Sequence, residues 1–217
     1  MFSHCYKCFR PKVSCYCCQI KPFNCGIKFI FLMHPKEAYH MKTGTGRLSH
    51  LFLEESEIII GTDFTENKRL NELLNDNHYY PVLLYPDKNA WTTQNNEFKN
   101  TIAEKTLLVI ILDATWFFAK KMLRLSLNLH NLPKLSFYTE YTSQFIFKKQ
   151  PAKECLSTIE SCYYLIKELQ DVYIVKKDIN PEPLMELFKK MITYQLDAEK
   201  KRLDSGEPSR YSRKIKP

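Results

Sequence analysis

Leu107-Leu108-Val109-Ile110-Ile111-Leu112-Asp113-Ala114-Thr115-Trp116 is the stretch on which the reading of the fold turns. Its first six residues are the longest apolar run in the chain, the right length for a buried strand and far too short to cross a bilayer. From Trp116 onward, apolar positions at Phe117, Met122 and Leu125 predict a helix to Leu129. A strand passing through a tight turn into a helix is half of an α/β unit. Asp113 then has two readings. It, or Thr115, caps the helix by accepting backbone N–H bonds, or it projects into the crevice beyond the strand ends where open α/β sheets bind ligands.

The same alternation extends outward in both directions. Ile27 to Met33 is a β-rich run stopped by His34-Pro35, Arg47 to Leu53 has helical apolar spacing after the loop Thr43-Gly44-Thr45-Gly46, and Glu57 to Ile60 is a short strand. Asn67 to Asn75 reads as a helix and Tyr80 to Tyr85 as a strand closed by Pro86. Further on, Leu156-Ser157-Thr158-Ile159-Glu160 opens a helix to about Leu169, and Pro181 to about Lys200 is amphipathic, with Leu184, Leu187, Phe188 and Met191 on one face. The expected fold class is therefore α/β, a largely parallel sheet flanked by helices. At 217 residues and 44% apolar composition, one such domain with small appendages accounts for the chain.

Six of the eight cysteines lie in the first 25 residues. The start of the chain has no apolar signal-like run, so a cytoplasmic location and reduced thiols are expected. Cys5-x2-Cys8 and Cys15-x-Cys17 offer four thiolates from two tight turns, a donor set that suits structural zinc. Cys18 competes with Cys17 for the fourth place, while Cys25 reads as a small buried hydrophobe. Three segments follow: a zinc knuckle over 1–25, a catalytic domain over 26–200 and a basic flexible tail over 201–217.

The formal charge is +8, and from Glu199 to Pro217 seven Lys/Arg stand against three Asp/Glu. Other cations cluster at Lys120, Lys121 and Arg124 and at Lys148 and Lys149. Phosphate backbones are the partner such an excess serves best, though a solvated basic surface has the same composition. The aromatics Tyr85, Trp91, Trp116 and Phe117 offer stacking surfaces or simply core. No G-x-S-x-G, H-E-x-x-H or P-loop occurs, which removes the serine-hydrolase, zincin and P-loop NTPase readings. Glu160 stands three residues after Ser157, the capping-box spacing, so both have a structural explanation. His34 is equally a turn histidine or a base.

Taken in order, these blocks resemble the DTW-domain family of tRNA-uridine aminocarboxypropyltransferases, relatives of the SPOUT class. Cys5-x2-Cys8-x-Arg10-Pro11-x3-Cys15-x-Cys17 looks like the family's zinc motif, followed by His34-Pro35-x-Glu37, Thr45-Gly46-Arg47-Leu48 and Tyr85-Pro86. Asp113-Ala114-Thr115-Trp116 is similar to the signature that names the family. Lys149-Gln150-Pro151 with Leu156-Ser157-Thr158-Ile159-Glu160 matches its last block, Ser161 standing where alanine is common.

The resemblance implies a SPOUT-like knotted fold and transfer of the 3-amino-3-carboxypropyl group of S-adenosylmethionine to uridine N3 in tRNA. It implies a cofactor site at Leu84, Tyr85, Pro86, Leu112, Thr115, Trp116, Gln150, Pro151, Leu156, Ser157, Thr158 and Glu160. Asp113 and His34 would be catalytic, Arg47, Lys148 and Lys149 would meet the substrate, and the protein would work as a monomer. Two rivals share these features: a SPOUT-type methyltransferase, and a zinc-dependent RNA-binding protein without catalysis.

Overall fold

The computed structural model describes residues 4–40, 44–102, 104–145 and 155–209. Its frame is a sheet of six strands, all parallel: β1 (Lys28–Met33), β2 (Ser56–Ile60), β3 (Tyr79–Leu84), β4 (Trp91–Thr92), β5 (Thr106–Asp113) and β6 (Lys134–Ser136). They lie in the order β2-β1-β5-β3-β6-β4. After β2 the chain crosses to the far side of the gap that β5 later fills. Such a reversal leaves a crevice at the carboxyl ends of the central strands.

Strand alternation divides the core into two layers. Phe29, Phe31, Val82, Val109 and Ile111 face one side, where they meet α2 (Thr45–Phe52), α4 (Asn96–Ile102), α6 (Thr158–Asp171) and α7 (Glu182–Asp204). Ile30, Leu32, Leu83, Leu108 and Ile110 face the other, against α3 (Lys68–Asn75) and α5 (Trp116–Leu125). Residues 107–111 of β5 are buried on both faces, as a central parallel strand requires. The expected α/β class with a largely parallel, helix-flanked sheet is the observed one.

Several boundaries differ from the expected ones for local reasons. The α5 helix stops at Leu125 rather than Leu129, because the buried Ser126 turns its hydroxyl away to accept the Phe64 backbone N–H at 3.0 Å, and a 3-10 turn over Leu127–Leu129 follows. Pro81 sits inside β3 without harm: it faces Leu108 of β5 on one side, while β6 begins to pair only at Leu83. Residues 201–204, expected as tail, belong to α7, and residues 210–217 lie outside the described part. The short elements α1 (Pro35–His40), α4, β4 and β6 carry too few residues for a periodic signal.

The cysteine-rich segment is docked on the domain. Arg10, only 5% exposed, runs under α7 with Nη2 2.8 Å from Met191 Sδ and its guanidinium 5.0 Å from the centre of the Tyr16 ring. Phe9 lies on Arg47 of α2 at 4.2 Å, and Lys190 of α7 donates to Gln19. No helix among the described residues is long and apolar enough to cross a membrane.

Ser126 offers a direct check of this packing. Ser126→Ala leaves the buried Phe64 N–H without its acceptor, so unfolding free energy should fall by about 1–3 kcal/mol. Urea denaturation reads this as a lower midpoint; an unchanged midpoint would show that the contact contributes nothing.

Candidate functional site

At the carboxyl end of β5, the register places Asp113 beside Met33, where β1 ends, and the backbone N–H of His34 donates to the Asp113 carbonyl at 3.0 Å. The Asp113 side chain is 5% exposed and accepts the Thr158 hydroxyl of α6 through Oδ1 at 2.5 Å. Its other oxygen presses on the first turn of α2, so closely that a Cβ built on Gly46 would lie 2.2 Å from Oδ2. Only glycine permits this approach. The positive end of a helix also favours a carboxylate placed there. Thr115 is the N-cap residue of α5 but makes no side-chain capping bond.

A cavity of about 790 Å³ opens beside this junction, within the size range of small-molecule sites. Leu84, Tyr85 and Pro86 line it from the end of β3, and Leu112, Asp113, Thr115 and Trp116 from the end of β5. Leu156, Ser157 and Thr158 line it from the start of α6. Tyr85 and Trp116 both line it and touch each other at a tilt, with ring centres 5.8 Å apart. Burial pushes the Tyr85 phenol above its usual pKa. Thus three expected groups of residues, distant in sequence, share one cavity. Gln150, Pro151, Lys148 and Lys149 lie outside the described residues.

Three expected site residues stand elsewhere. Glu160 is fully buried beneath the cavity floor, where Oε2 accepts the Ser157 N–H at 2.8 Å and the Ser157 hydroxyl at 2.6 Å, as the capping-box spacing predicts. His34 is not among the lining residues. Its ring stacks on Phe118 with centres 4.1 Å apart, and Nδ1 accepts the Lys36 N–H. Burial first, and then the positive charges of Lys36 and Lys121, hold the imidazole pKa below its ordinary value, so the ring is neutral near pH 7. Arg47 donates to the Ala38 carbonyl at 3.2 Å and stacks on Phe9; its burial lowers its pKa while the charge of Asp113 opposes that shift.

The far wall was not anticipated. Ser136 at the end of β6 and Phe137, Thr139, Glu140 and Tyr141 after it line the cavity, with Thr45, Phe145 and Cys155. Two buried carboxylates of α6 hold this loop in place. Glu168 accepts the backbone N–H groups of Tyr138 and Thr139 at 3.0–3.1 Å, and also the Thr93 hydroxyl. Glu160 accepts the Ser143 hydroxyl and the Gln144 N–H. Tyr141 then stacks on Tyr164 at 3.9 Å. The available signal was an acid set among buried apolar residues, since Glu168 stands between Ile166 and Leu169.

The second cluster is the set Cys5, Cys8, Cys15 and Cys17, whose sulfurs all lie within 4.8 Å of one another. Cys5 and Cys17 are 3.8 Å apart and Cys8 and Cys15 3.7 Å. A tetrahedron with metal–sulfur bonds near 2.3 Å has edges of about 3.8 Å, so these four could hold one metal ion. Backbone N–H groups of Cys8 and Lys7 lower the Cys5 thiol to about 6, whereas burial raises Cys8 and Cys17. Cys18 is exposed and outside the cluster. Cys25 is buried, its thiol pushed up to about 11 by desolvation, the behaviour of a core residue.

Comparison with known proteins gives the lineage. Similar proteins named tRNA-uridine aminocarboxypropyltransferase 2 occur in Drosophila melanogaster, 28% identical over 200 residues, and in Mus musculus, 24% identical over 196. The matches cover 89% and 88% of this chain, but 75% of the fly protein and 63% of the mouse protein. The chain thus spans about three quarters of one relative and less than two thirds of the other. No solved structure matches it significantly. The model of the DTW domain matches residues 2–196, a span that includes the cysteine cluster, the strand-end cavity and most of α7; the chain belongs to the DTW-domain family.

Proposed function

We propose that this protein modifies tRNA, transferring the 3-amino-3-carboxypropyl group of S-adenosylmethionine to N3 of a uridine and releasing methylthioadenosine. The observation that carries this reading is the single cavity built from the ends of β3 and β5 and the start of α6. The names of the fly and mouse relatives support the same chemistry and substrate. The cavity's size and the aromatic surfaces of Tyr85 and Trp116 in its lining suit a nucleoside. The first turn of α5, free of a side-chain cap, offers N–H groups to a carboxylate.

S-adenosylmethionine supplies, when bound, a sulfonium whose γ-carbon is open to displacement by uridine N3. The protein's part is to fold that co-substrate so that this carbon, and not the methyl, meets the base, and orientation of this kind is worth several kcal/mol. Thr158, Gly46 and Asp113 fix the floor of the cavity, while Glu168 and Glu160 fix its far wall. The N3 proton must also leave, and Asp113 is the carboxylate among the lining residues at the strand-end junction. His34 and Arg47 support the floor from below: one ties β1 to Asp113, the other ties α2 to the cysteine segment. The cysteine set would hold structural zinc, whose binding would supply folding energy for a segment too short for its own core. The SPOUT relationship and a cytoplasmic setting belong to the same reading.

The decisive experiment uses unmodified tRNA and S-adenosylmethionine labelled in its amino-acid carboxyl group, with mass spectrometry of the nucleosides. Labelled aminocarboxypropyluridine is expected. A methylated nucleoside without label would replace the reaction by methyl transfer, and absence of any modified nucleoside would favour a binding role.

Substitutions at Asp113 and at two of the cysteines test the parts. Asp113→Asn keeps an acceptor for Thr158 but removes the charge; turnover should fall at least about a hundredfold, while thermal stabilisation by S-adenosylmethionine persists. Loss of that stabilisation too would make Asp113 a brace and not a proton acceptor. Cys5→Ser or Cys8→Ser should lose bound zinc in elemental analysis and melt at a lower temperature; full zinc content in both would remove the cluster as the metal site.

A further inference from the structure

The α5 helix leaves the cavity rim and runs along the sheet face opposite α6 and α7. Its inward side, Ala119 and Met122, is buried. Its outward side carries Phe117, Lys120, Lys121 and Arg124, spaced i, i+3, i+4 and i+7, so that all four share one stripe. Phe117 is 74% exposed, and the three cations are exposed as well. The helix contains no acidic residue, and none of the three cations is ion-paired to a described residue. A fourth cation, Lys36, lies beside the stripe with Nζ 4.8 Å over the Phe118 ring. Glu37, the nearest acid in sequence, is buried.

Two facts connect this stripe to the cavity. Phe117 belongs to both, since it lines the cavity and heads the stripe. The stripe then extends from the rim for about 10 Å at 1.5 Å per residue. We propose that the outward face of α5 is the docking surface for the RNA substrate: an unstacked base rests on Phe117 and the phosphates that follow it lie along Lys120, Lys121 and Arg124.

The chemistry selects RNA over the other partner of a basic helix. A helix that lies in a membrane surface buries an apolar stripe in the lipid, whereas the apolar side of α5 is already spent on the sheet. Single-stranded RNA, in contrast, is held by aromatic faces under its bases and by cations along its backbone. A uridine must be unstacked for its N3 to enter a cavity, and an exposed ring at the rim receives the base beside it. The surface deepens the tRNA reading above and rests on it.

The test is fluorescence anisotropy of an unmodified, labelled tRNA with the full chain at several salt concentrations. For the triple variant Lys120→Gln, Lys121→Gln, Arg124→Gln, binding at low salt should weaken at least about tenfold. The slope of log affinity against log salt should flatten by about 2, at roughly 0.7 per lost single-strand phosphate contact. Phe117→Ala should weaken binding about fivefold or more, and Phe117→Trp should restore it. A control, Lys176→Gln, Lys177→Gln, Lys189→Gln, neutralises exposed cations away from α5 and should change neither quantity. Melting curves with and without S-adenosylmethionine verify that each variant is folded.

Unchanged affinity and slope in the α5 triple variant, or an equal loss in the control, would overturn the surface. So would retention of the wild-type chain on phosphatidylserine vesicles without tRNA binding. If tRNA binding falls as expected but the wild-type protein forms no aminocarboxypropyluridine, the surface stands and the reaction falls. If the product forms and the variants bind normally, the reverse holds.

Discussion

One carboxylate holds three parts of the fold in register. Asp113 ends the central strand, accepts the first hydroxyl of α6 and presses against the first turn of α2 at a glycine. A buried carboxylate is costly without partners, so the Thr158 hydroxyl and the first turn of α2 are held as firmly as Asp113 itself. Move α2 outward and the charge loses the helix end; move α6 and it loses Thr158. The cavity takes its floor from this junction.

The strands and long helices could be read from sequence because each carries a full period of its own pattern. Residues 107–112 are apolar without interruption since both faces are covered, and Leu184, Leu187, Phe188 and Met191 repeat at helical spacing because one side of α7 is buried. The helix end at Leu125 was hidden because its cause lies elsewhere: Ser126 answers to Phe64, 62 residues away. Strand β6 was hidden by its length, three residues being too few to show an alternation.

The site divides in the same way. The strand-end residues and the four cysteines sit in local motifs whose spacing has meaning by itself. The wall after β6 does not, because what shapes it is a pair of acids on α6, eight residues apart in a helix that otherwise buries apolar groups. Glu160 illustrates the limit well. Its capping bond was legible from a four-residue pattern, but its hold on Ser143 and Gln144 depends on a fold that no short window contains. His34 and Arg47 make a similar point: their chemistry suits a site, yet short motifs gave no sign that they stack on Phe118 and Phe9, outside the cavity lining.

Arg10 and Met191 touch across 181 residues of chain, which gives the molecule an order of assembly. During synthesis residues 5–17 are made well before residues 182–204, so all four sulfurs of the cysteine cluster are present long before the helix that docks on Arg10 exists. The four sulfurs can therefore come together before the segment attaches to the domain. Until α7 is made, the Arg10 guanidinium lacks the Met191 contact that covers it. The contact between Arg10 and Met191 closes a loop of 181 residues, so a helix made late in this chain is laid over a residue made early.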